Sequence, residues 1–302
     1  MYKVLDEKNN FLAIPENVSN LQSSKIVIVS APYEHTVSYG GGTQNGPKGI
    51  IDASAFVEFY DDEFDKELCF EKGIATLEPI DFGKKVDADA LELIYNQVKD
   101  MLNYDKFVVT LGGEHTISSA PIKAHFEKYP NMSILQFDAH SDLRESYEDS
   151  IFSHASVMAR VCEFFPNKNI TQVGIRAQCI EESRFIKENK INTFYASGIR
   201  TNKYGANWKE TLVNTLNQEV YITFDVDAFD PSIMPSTGTP EPEGLLYAEV
   251  LEIFRLIRKS GRKIIGFDVV ELAPIPGLSH PDLTTARLVY KLLNYTFYDI
   301  KM

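Results

Sequence analysis

The sequence predicts a three-layer α/β/α fold, a mostly parallel sheet with helices on both faces. Short runs dense in Val, Ile, Phe and Tyr alternate with segments whose apolar residues recur at helical spacing. This alternation is typical of parallel strands joined by helices. No linker, internal repeat or low-complexity stretch divides the chain, so residues 1–302 are expected to form a single domain.

The individual elements are predicted from the same two patterns. The strand-like runs, in chain order, are 25–32, 106–111, 132–138, 170–175, 192–196, 220–225 and 263–270. The segments with helical spacing are 87–103, 118–128, 155–165, 181–189, 208–217, 247–260 and 282–295.

Composition excludes some classes of function. The net charge of −13 argues against a nucleic-acid partner, which would need clustered Lys and Arg, and is compatible with a small cationic substrate. Three separated cysteines, Cys69, Cys162 and Cys179, indicate free thiols in a reducing compartment. No signal-peptide core and no run of 18 apolar residues occur. We therefore expect a cytoplasmic protein without a membrane partner.

Acidic and histidine residues cluster where three of the predicted strands end. The clusters are Gly-Gly-Glu-His at 112–115, Asp-Ala-His-Ser-Asp at 138–142 and Asp-Val-Asp at 225–227. In open parallel sheets, ligands gather beyond the carboxyl ends of the strands. Carboxylates brought together there would repel one another unless cations lay between them. The sequence therefore predicts a two-metal site, with ligands His115, Asp138, His140, Asp142, Asp225 and Asp227.

Spacing gives further expectations about this site. On an extended chain Asp225 and Asp227 would share one face, roughly 6.6 Å apart, and Asp142 would lie roughly 13 Å from Asp138. The chain is therefore expected to turn near Ser141. The Gly-Gly pair should permit a tight turn before His115. Carboxylate and imidazole ligands without thiolate favour Mn²⁺, with Co²⁺, Ni²⁺, Fe²⁺ or Zn²⁺ as alternatives.

These motifs are similar to those of the ureohydrolase family, which includes arginase, agmatinase, guanidinobutyrase and formiminoglutamase. The resemblance extends from Gly-Gly-Gly-Thr-Gln-Asn-Gly-Pro at 40–47, through Phe-Asp-Val-Asp-Ala-Phe-Asp-Pro at 224–231 and Gly-Thr-Pro-Glu at 238–241, to Val-Glu-Leu-Ala-Pro at 270–274. It implies an arginase-like α/β/α fold, two Mn²⁺ per chain and hydrolysis of a guanidino group to urea and an amine. It also implies a homo-oligomer, either a trimer or a hexamer.

The resemblance also implies a role for individual residues. Asp138 and Asp225 would bridge the two ions. His115 and Asp142 would complete the ligands of one ion, and His140 and Asp227 would complete those of the other. Asp142 would relay a proton, His154 would shuttle protons at the entrance, and Glu271 would hold the substrate guanidinium. Five further acids and histidines are expected to have no direct catalytic role: Asp268, Asp230, His35, His125 and His280.

The residues directly after the Asp138 motif indicate the member of the family. Arginases carry an Asn and a Ser there for the amino-acid end of arginine, whereas this chain has Leu-Arg-Glu-Ser-Tyr at 143–147. The resemblance is therefore to agmatinase-type members, and agmatine is the expected substrate. Aminopropyl-agmatine, guanidinobutyrate, arginine and formiminoglutamate, the last with Arg144 and Arg176 as anchors, remain alternatives. A non-catalytic protein that binds metal or ligand is the alternative from another class.

Overall fold

The computed structural model describes residues 2–300, which form one eight-stranded sheet in which every strand pairing is parallel. The strand order is β2-β1-β3-β8-β7-β4-β5-β6. The strands are β1 Ile26–Ala31, β2 Ile74–Thr76, β3 Phe107–Gly112, β4 Ser133–Phe137, β5 Ile170–Ile175, β6 Asn192–Tyr195, β7 Glu219–Asp225 and β8 Lys263–Val270. All seven predicted strands are present, and the short edge strand β2 was not predicted.

Helices connect the strands and cover both faces of the sheet. They are α1 Glu16–Ser19, α2 Gly46–Ser54, α3 Leu68–Lys72, α4 Asp87–Asn103, α5 Ser119–Lys128, α6 Val157–Cys162, α7 Ile180–Asn189, α8 Ala196–Arg200, α9 Trp208–Asn214, α10 Tyr247–Lys259 and α11 His280–Phe297. The sequence did not predict α1, α2, α3 or α8, and it placed the ends of α6 and α9 too far along the chain. No helix within residues 2–300 combines the length and the apolar character needed to cross a membrane.

Alternate residues of each strand enter different apolar layers. In β1, Ile26 and Ile28 join the core beneath α2, α9, α10 and α11, whereas Val27 and Val29 face the helix α4 and part of α5. A third apolar cluster packs α6 and α7 against β4 and β5. Strands buried on both faces are typical of parallel sheets. The predicted three-layer α/β/α fold is therefore confirmed.

The sheet order determines where the acidic motifs meet. β3, β8, β7 and β4 are neighbours in the middle of the sheet. Their carboxyl ends are level, because Val269 of β8 pairs with both Leu111 of β3 and Phe224 of β7, and Phe224 pairs with Phe137 of β4. The three motifs begin at the last residue of β3, directly after β4 and at the last residue of β7, so they emerge at one edge of the sheet.

Candidate metal centre

His115 lies at the centre of a first group of predicted ligands. Its Nδ1 atom is 3.1 Å from Oδ2 of Asp138, 3.0 Å from Oδ2 of Asp142 and 3.3 Å from Oδ2 of Asp225. All four residues are buried. Residues from three separate strand ends, far apart in the chain, thus converge on one imidazole nitrogen.

His140 belongs to a second group that shares one residue with the first. Its Nδ1 atom lies 2.9 Å from Oδ2 of Asp227 and 3.7 Å from Oδ1 of Asp138. Asp138 therefore presents one carboxylate oxygen to each group. Each group contains a set of ligand atoms close enough together to hold a metal ion. The shared carboxylate has the position expected of a bridging ligand.

The hydrogen bonds behind His115 show that this residue fits a metal ion. The hydroxyl of Thr223 donates to Oδ1 of the buried Asp268 at 2.7 Å and lies 2.9 Å from Nε2 of His115. Because that hydroxyl has only one hydrogen, its oxygen accepts from Nε2–H. In the neutral imidazole that metal binding requires, Nδ1 then carries the lone pair, and it has no hydrogen-bond partner among the described residues. A lone pair surrounded by three carboxylate oxygens is repulsive unless a cation lies among them.

Burial and mutual repulsion also affect the carboxylates. Burial, followed by the charge of Asp138, raises the pKa of Asp142 to about 7. Burial, followed by the charges of Asp227 and Asp138, holds the pKa of Asp225 well above its ordinary value. Without a cation these buried carboxylates would therefore tend to take up protons. The donor set, oxygen and imidazole without thiolate, suits a divalent ion such as Mn²⁺.

The Asp138 motif turns near Ser141, as the spacing predicted. Asp142 has a φ of 53°, in the left-handed region that a residue with a side chain seldom adopts. The carboxylate of Glu182 holds this turn by accepting from the Ser141 hydroxyl at 3.0 Å and from the Leu143 amide at 2.9 Å. Sequence reasoning missed Glu182. The only signal was its place three residues after Cys179, the spacing of a helix capping box.

One local expectation was wrong and another was confirmed. The chain is not extended as far as Asp227, because β7 ends at Asp225 and a single 3-10 turn comes next, in which the Asp227 amide donates to Oδ1 of Asp225 at 2.8 Å. The turn brings Asp227 towards His140. The tight turn expected at the Gly-Gly pair is present, because the chain bends at Gly113 and Glu114 before the 3-10 turn that begins at His115. Gly113 also allows close approach, since a Cβ there would lie 2.0 Å from the carbonyl oxygen of Tyr33.

A cavity of about 260 Å³ opens beside the ligands. His140, Asp142 and the predicted proton shuttle His154 all line it. The remaining lining is mostly polar and comprises Ser38, Arg144, Tyr147, Ala155, Ala177, Gln178, Glu182, Thr239 and Glu241. A small polar molecule in this cavity would lie next to the ligand groups.

Glu271 lies behind the site instead of lining the cavity. Its Oε1 atom accepts from the backbone amide of His115 at 2.6 Å, and its φ of 66° is left-handed. Burial raises its pKa to about 8. One carboxylate oxygen of Glu271 therefore supports the predicted metal ligand His115. The predicted contact with a guanidinium depends on the other oxygen. Gly238 leaves room there, since a Cβ at that glycine would lie 3.8 Å from Oε2.

The two arginines considered as anchors for an acidic substrate have other partners. Arg176 donates to the backbone carbonyls of Gly174, Asp227, Phe229 and Glu241, which ties the loops after β5 and β7 together. The guanidinium of Arg144 lies 5.1 Å from the ring centre of Tyr147 and 3.9 Å from Glu182. Arg176 thus acts as a structural clamp.

Three of the residues without a predicted catalytic role have structural partners. The carboxylate of Asp268, a residue of β8, accepts hydrogen bonds from the hydroxyl groups of Ser118, Tyr221 and Thr223. Asp230 accepts from the amides of Ser232 and Gly244 and thereby forms a turn, as its place before Pro231 predicted. His125 is fully buried, and its Nδ1 atom bonds to the Pro121 carbonyl at 2.8 Å.

Comparison with known proteins agrees with this geometry. A model of the arginase family matches residues 24–297. An N(1)-aminopropylagmatine ureohydrolase of Synechocystis is 36% identical over 93% of this chain and 92% of its own length. An agmatinase of Bacillus cereus is 35% identical over 88% of each chain. The crystal structure of agmatine ureohydrolase of Thermoplasma volcanium superposes with a TM-score of 0.83 at 25% identity, covering 95% of this chain and 94% of that one. The chain belongs to the arginase family.

Proposed function

We propose that the protein is a hydrolase with two Mn²⁺ per chain that cleaves agmatine to putrescine and urea. The observation that carries this proposal is the pair of ligand groups joined by Asp138 and placed beside a polar cavity. The curated relatives named agmatinase and aminopropylagmatine ureohydrolase support the class of substrate.

The predicted ligands would divide between the two ions. His115, Asp138, Asp142 and Asp225 surround one position, and Asp138, His140 and Asp227 surround the other, with Asp225 proposed as a second bridge. When bound, two such ions lower the pKa of a shared water so that a nucleophile is available near neutral pH. The protein side chains then have two tasks, holding the guanidinium and moving protons.

Proton transfer is needed because an amine leaves readily only when it is protonated. Asp142 is suited to accept the first proton, because it reaches both the His115 group and the cavity. His154 lines the same cavity. Burial lowers its pKa below the ordinary value, so the imidazole is neutral and able to accept a proton at neutral pH. Glu271, behind His115, would fix the orientation of the guanidinium through its second oxygen.

The charges around the cavity favour a cationic tail on the substrate. The carboxylates of Asp142, Glu182 and Glu241 line the cavity, and Arg144, the one arginine among the described lining residues, already lies close to Tyr147 and Glu182. Because the donors of Arg176 are directed at backbone carbonyls, a carboxylate tail would find few open partners. This arrangement disfavours arginine, guanidinobutyrate and formiminoglutamate relative to agmatine.

Aminopropyl-agmatine is the second candidate, because a relative named for that activity is 36% identical over 93% of the chain. Urea release should be measured for agmatine, aminopropyl-agmatine, arginine, guanidinobutyrate and formiminoglutamate with Mn²⁺ present. We expect the highest kcat/KM for agmatine. An Asp142→Asn variant is the control for background hydrolysis.

Three outcomes would contradict these statements in different ways. A higher kcat/KM for aminopropyl-agmatine would replace the proposed substrate and keep the reaction. Tight binding of agmatine without urea release, with two ions bound, would identify a ligand-binding protein. Turnover without any bound transition metal would contradict the role of the metal centre.

We also propose that the protein is a cytoplasmic homo-oligomer, either a trimer or a hexamer. Light scattering after size-exclusion chromatography tests the number of subunits.

A further inference from the structure

Glu114 is a buried acid of the first motif with no predicted role as a ligand. Its carboxylate accepts three hydrogen bonds from a segment 78 and 79 residues earlier in the chain: Oε2 accepts from the amides of His35 and Thr36, each at 2.7 Å, and Oε1 accepts from the Thr36 hydroxyl at 2.9 Å. The residue is fully buried. Glu114 therefore fixes both the backbone and the hydroxyl of Thr36.

The Thr36 hydroxyl in turn contacts the predicted proton shuttle. Its oxygen accepts from the backbone amide of His154 at 3.0 Å and lies 3.3 Å from Nδ1 of the same residue. A threonine hydroxyl has one hydrogen and two lone pairs. Since the hydrogen is directed at Glu114, the oxygen can only accept from His154. Nδ1 must then carry the proton of the neutral imidazole.

This assignment determines the role open to the other ring nitrogen. A neutral imidazole has one N–H, so Nε2 of His154 carries the lone pair. Nε2 lies 3.3 Å from the hydroxyl of Ser38, and both residues line the cavity beside Asp142. The nitrogen able to take up a proton is therefore on the side where Ser38 and the cavity lie.

The same order of groups occurs on the other side of the site. There Asp268 accepts from Thr223, and Thr223 accepts from Nε2–H of His115, which leaves the lone pair on Nδ1. In both cases a buried carboxylate directs a threonine hydroxyl, and that hydroxyl selects the protonated ring nitrogen. The two imidazoles receive opposite tautomers because the threonines face opposite nitrogens.

We propose that Glu114 and Thr36 are positioning residues that hold His154 as its Nδ1–H tautomer, so that Nε2 exchanges the proton during turnover. The statement about turnover rests on the proposed function. The statement about the tautomer does not, because it depends on the hydrogen bonds of Glu114, Thr36 and His154 alone.

The tautomer can be measured without activity. Protein labelled with ¹⁵N-histidine and loaded with diamagnetic Zn²⁺ would be examined by solid-state NMR, which distinguishes protonated from unprotonated ring nitrogens. The chain has six histidines, and the His154 signals are those lost in His154→Gln. We expect a protonated Nδ1 in the native protein and in Thr36→Ser. A protonated Nε2 in the native protein would overturn the proposal.

Glu114→Gln gives a sharper version of the same test. The glutamine oxygen can still accept the two backbone amides, but its NH₂ group would donate to the Thr36 oxygen. The Thr36 hydrogen would then turn to Nδ1 of His154, and the ring proton would move to Nε2. An unchanged Nδ1–H tautomer in Glu114→Gln, with native metal content, would overturn the proposal. Thr36→Val, which has no hydroxyl, provides a second variant if Glu114→Gln does not fold.

Kinetics separate positioning from a structural role. Loss of an oriented acid–base group typically lowers the rate about 10²- to 10⁴-fold. Thr36→Val should show part of this loss, a decrease in kcat of about 10- to 100-fold. KM for agmatine should stay within about twofold of the native value. Thr36→Ser should restore kcat. Native kcat in Thr36→Val would overturn the role in turnover. Native protein that holds two ions, shows the Nδ1–H tautomer and releases no urea would instead contradict the proposed function.

Discussion

Replacement of Thr223 by Val tests whether the group behind His115 controls metal binding. Valine keeps the shape of threonine but removes the acceptor that lies 2.9 Å from Nε2 of His115. A buried N–H without an acceptor costs about 1–3 kcal/mol. Loss of a partner behind a metal-binding imidazole typically weakens metal affinity about 10- to 100-fold, which corresponds to about 1.4–2.7 kcal/mol. The two ranges overlap, so we expect Mn²⁺ to bind Thr223→Val about 10- to 100-fold more weakly.

The assay is equilibrium dialysis against graded Mn²⁺, with bound metal measured by mass spectrometry and urea release measured on the same samples. The Mn²⁺ concentration for half-maximal activity should rise with the dissociation constant, and kcat at saturating Mn²⁺ should change by no more than about twofold. Thr223→Ser keeps the hydroxyl and is the matched control. Equal Mn²⁺ affinity in Thr223→Val and the native protein, with both folded by circular dichroism, would refute the reasoning about His115.

Three further predictions concern the site and the core. Asp138→Asn should reduce bound ions from two to one or none and abolish urea release, because one oxygen of Asp138 faces His115 and the other faces His140; two bound ions, counted by metal analysis, would contradict this. Glu271→Gln should keep native metal content, since the glutamine amide oxygen can still accept from the His115 backbone amide. The variant should lower kcat/KM for agmatine about 10- to 100-fold through loss of a charged hydrogen bond. Unchanged kinetics would show that Glu271 does not bind the substrate. Burial lowers the pKa of His125 to about 4, against 6.5 when unfolded. The unfolded chain therefore binds a proton that the folded chain does not, and folding loses stability as the pH falls through 6.5, by about 1.4 kcal/mol at pH 5.5. Urea unfolding of metal-free protein at pH 8 and pH 5.5 should show this loss, and His125→Leu should lack it; an equal pH dependence in the variant would contradict the assignment.

The sequence was most informative where burial and chemistry coincide. β3, β4 and β7 are buried on both faces, so their apolar runs stand out, and a buried acid or histidine lies at the end of each or within three residues after it. The element β2 escaped prediction because three residues at a sheet edge are too short to show a period. The helix α2 escaped because it contains Gly46 and Gly49, residues of low helix propensity. Both glycines are needed for close packing. A Cβ atom added at Gly46 would lie 2.5 Å from the Leu272 carbonyl oxygen, and one added at Gly49 would lie 2.7 Å from Pro274.

The supporting groups of the site gave much weaker signals. Glu114 and Thr36 are 78 residues apart, and Ser141 and Glu182 are 41 apart. No local pattern relates such pairs, because the contact exists only after the sheet has formed. Asp227 was expected on an extended chain because no Gly or Pro between Phe224 and Asp227 marks the 3-10 turn. The side chains that converge at the site were therefore predictable, whereas the turns and second carboxylates that orient them were not.

The order of the strands has a consequence for biogenesis. β3 and β4 are made early, but they are not adjacent; β8 and β7, the last two strands synthesised, insert between them. A nascent chain on the ribosome that has reached residue 200 carries His115 and the Asp138 motif without Asp225, Asp227 or Glu271. Asp225 and Asp227 therefore join the predicted ligands only after β7 has been made, so the complete two-ion site assembles late in synthesis.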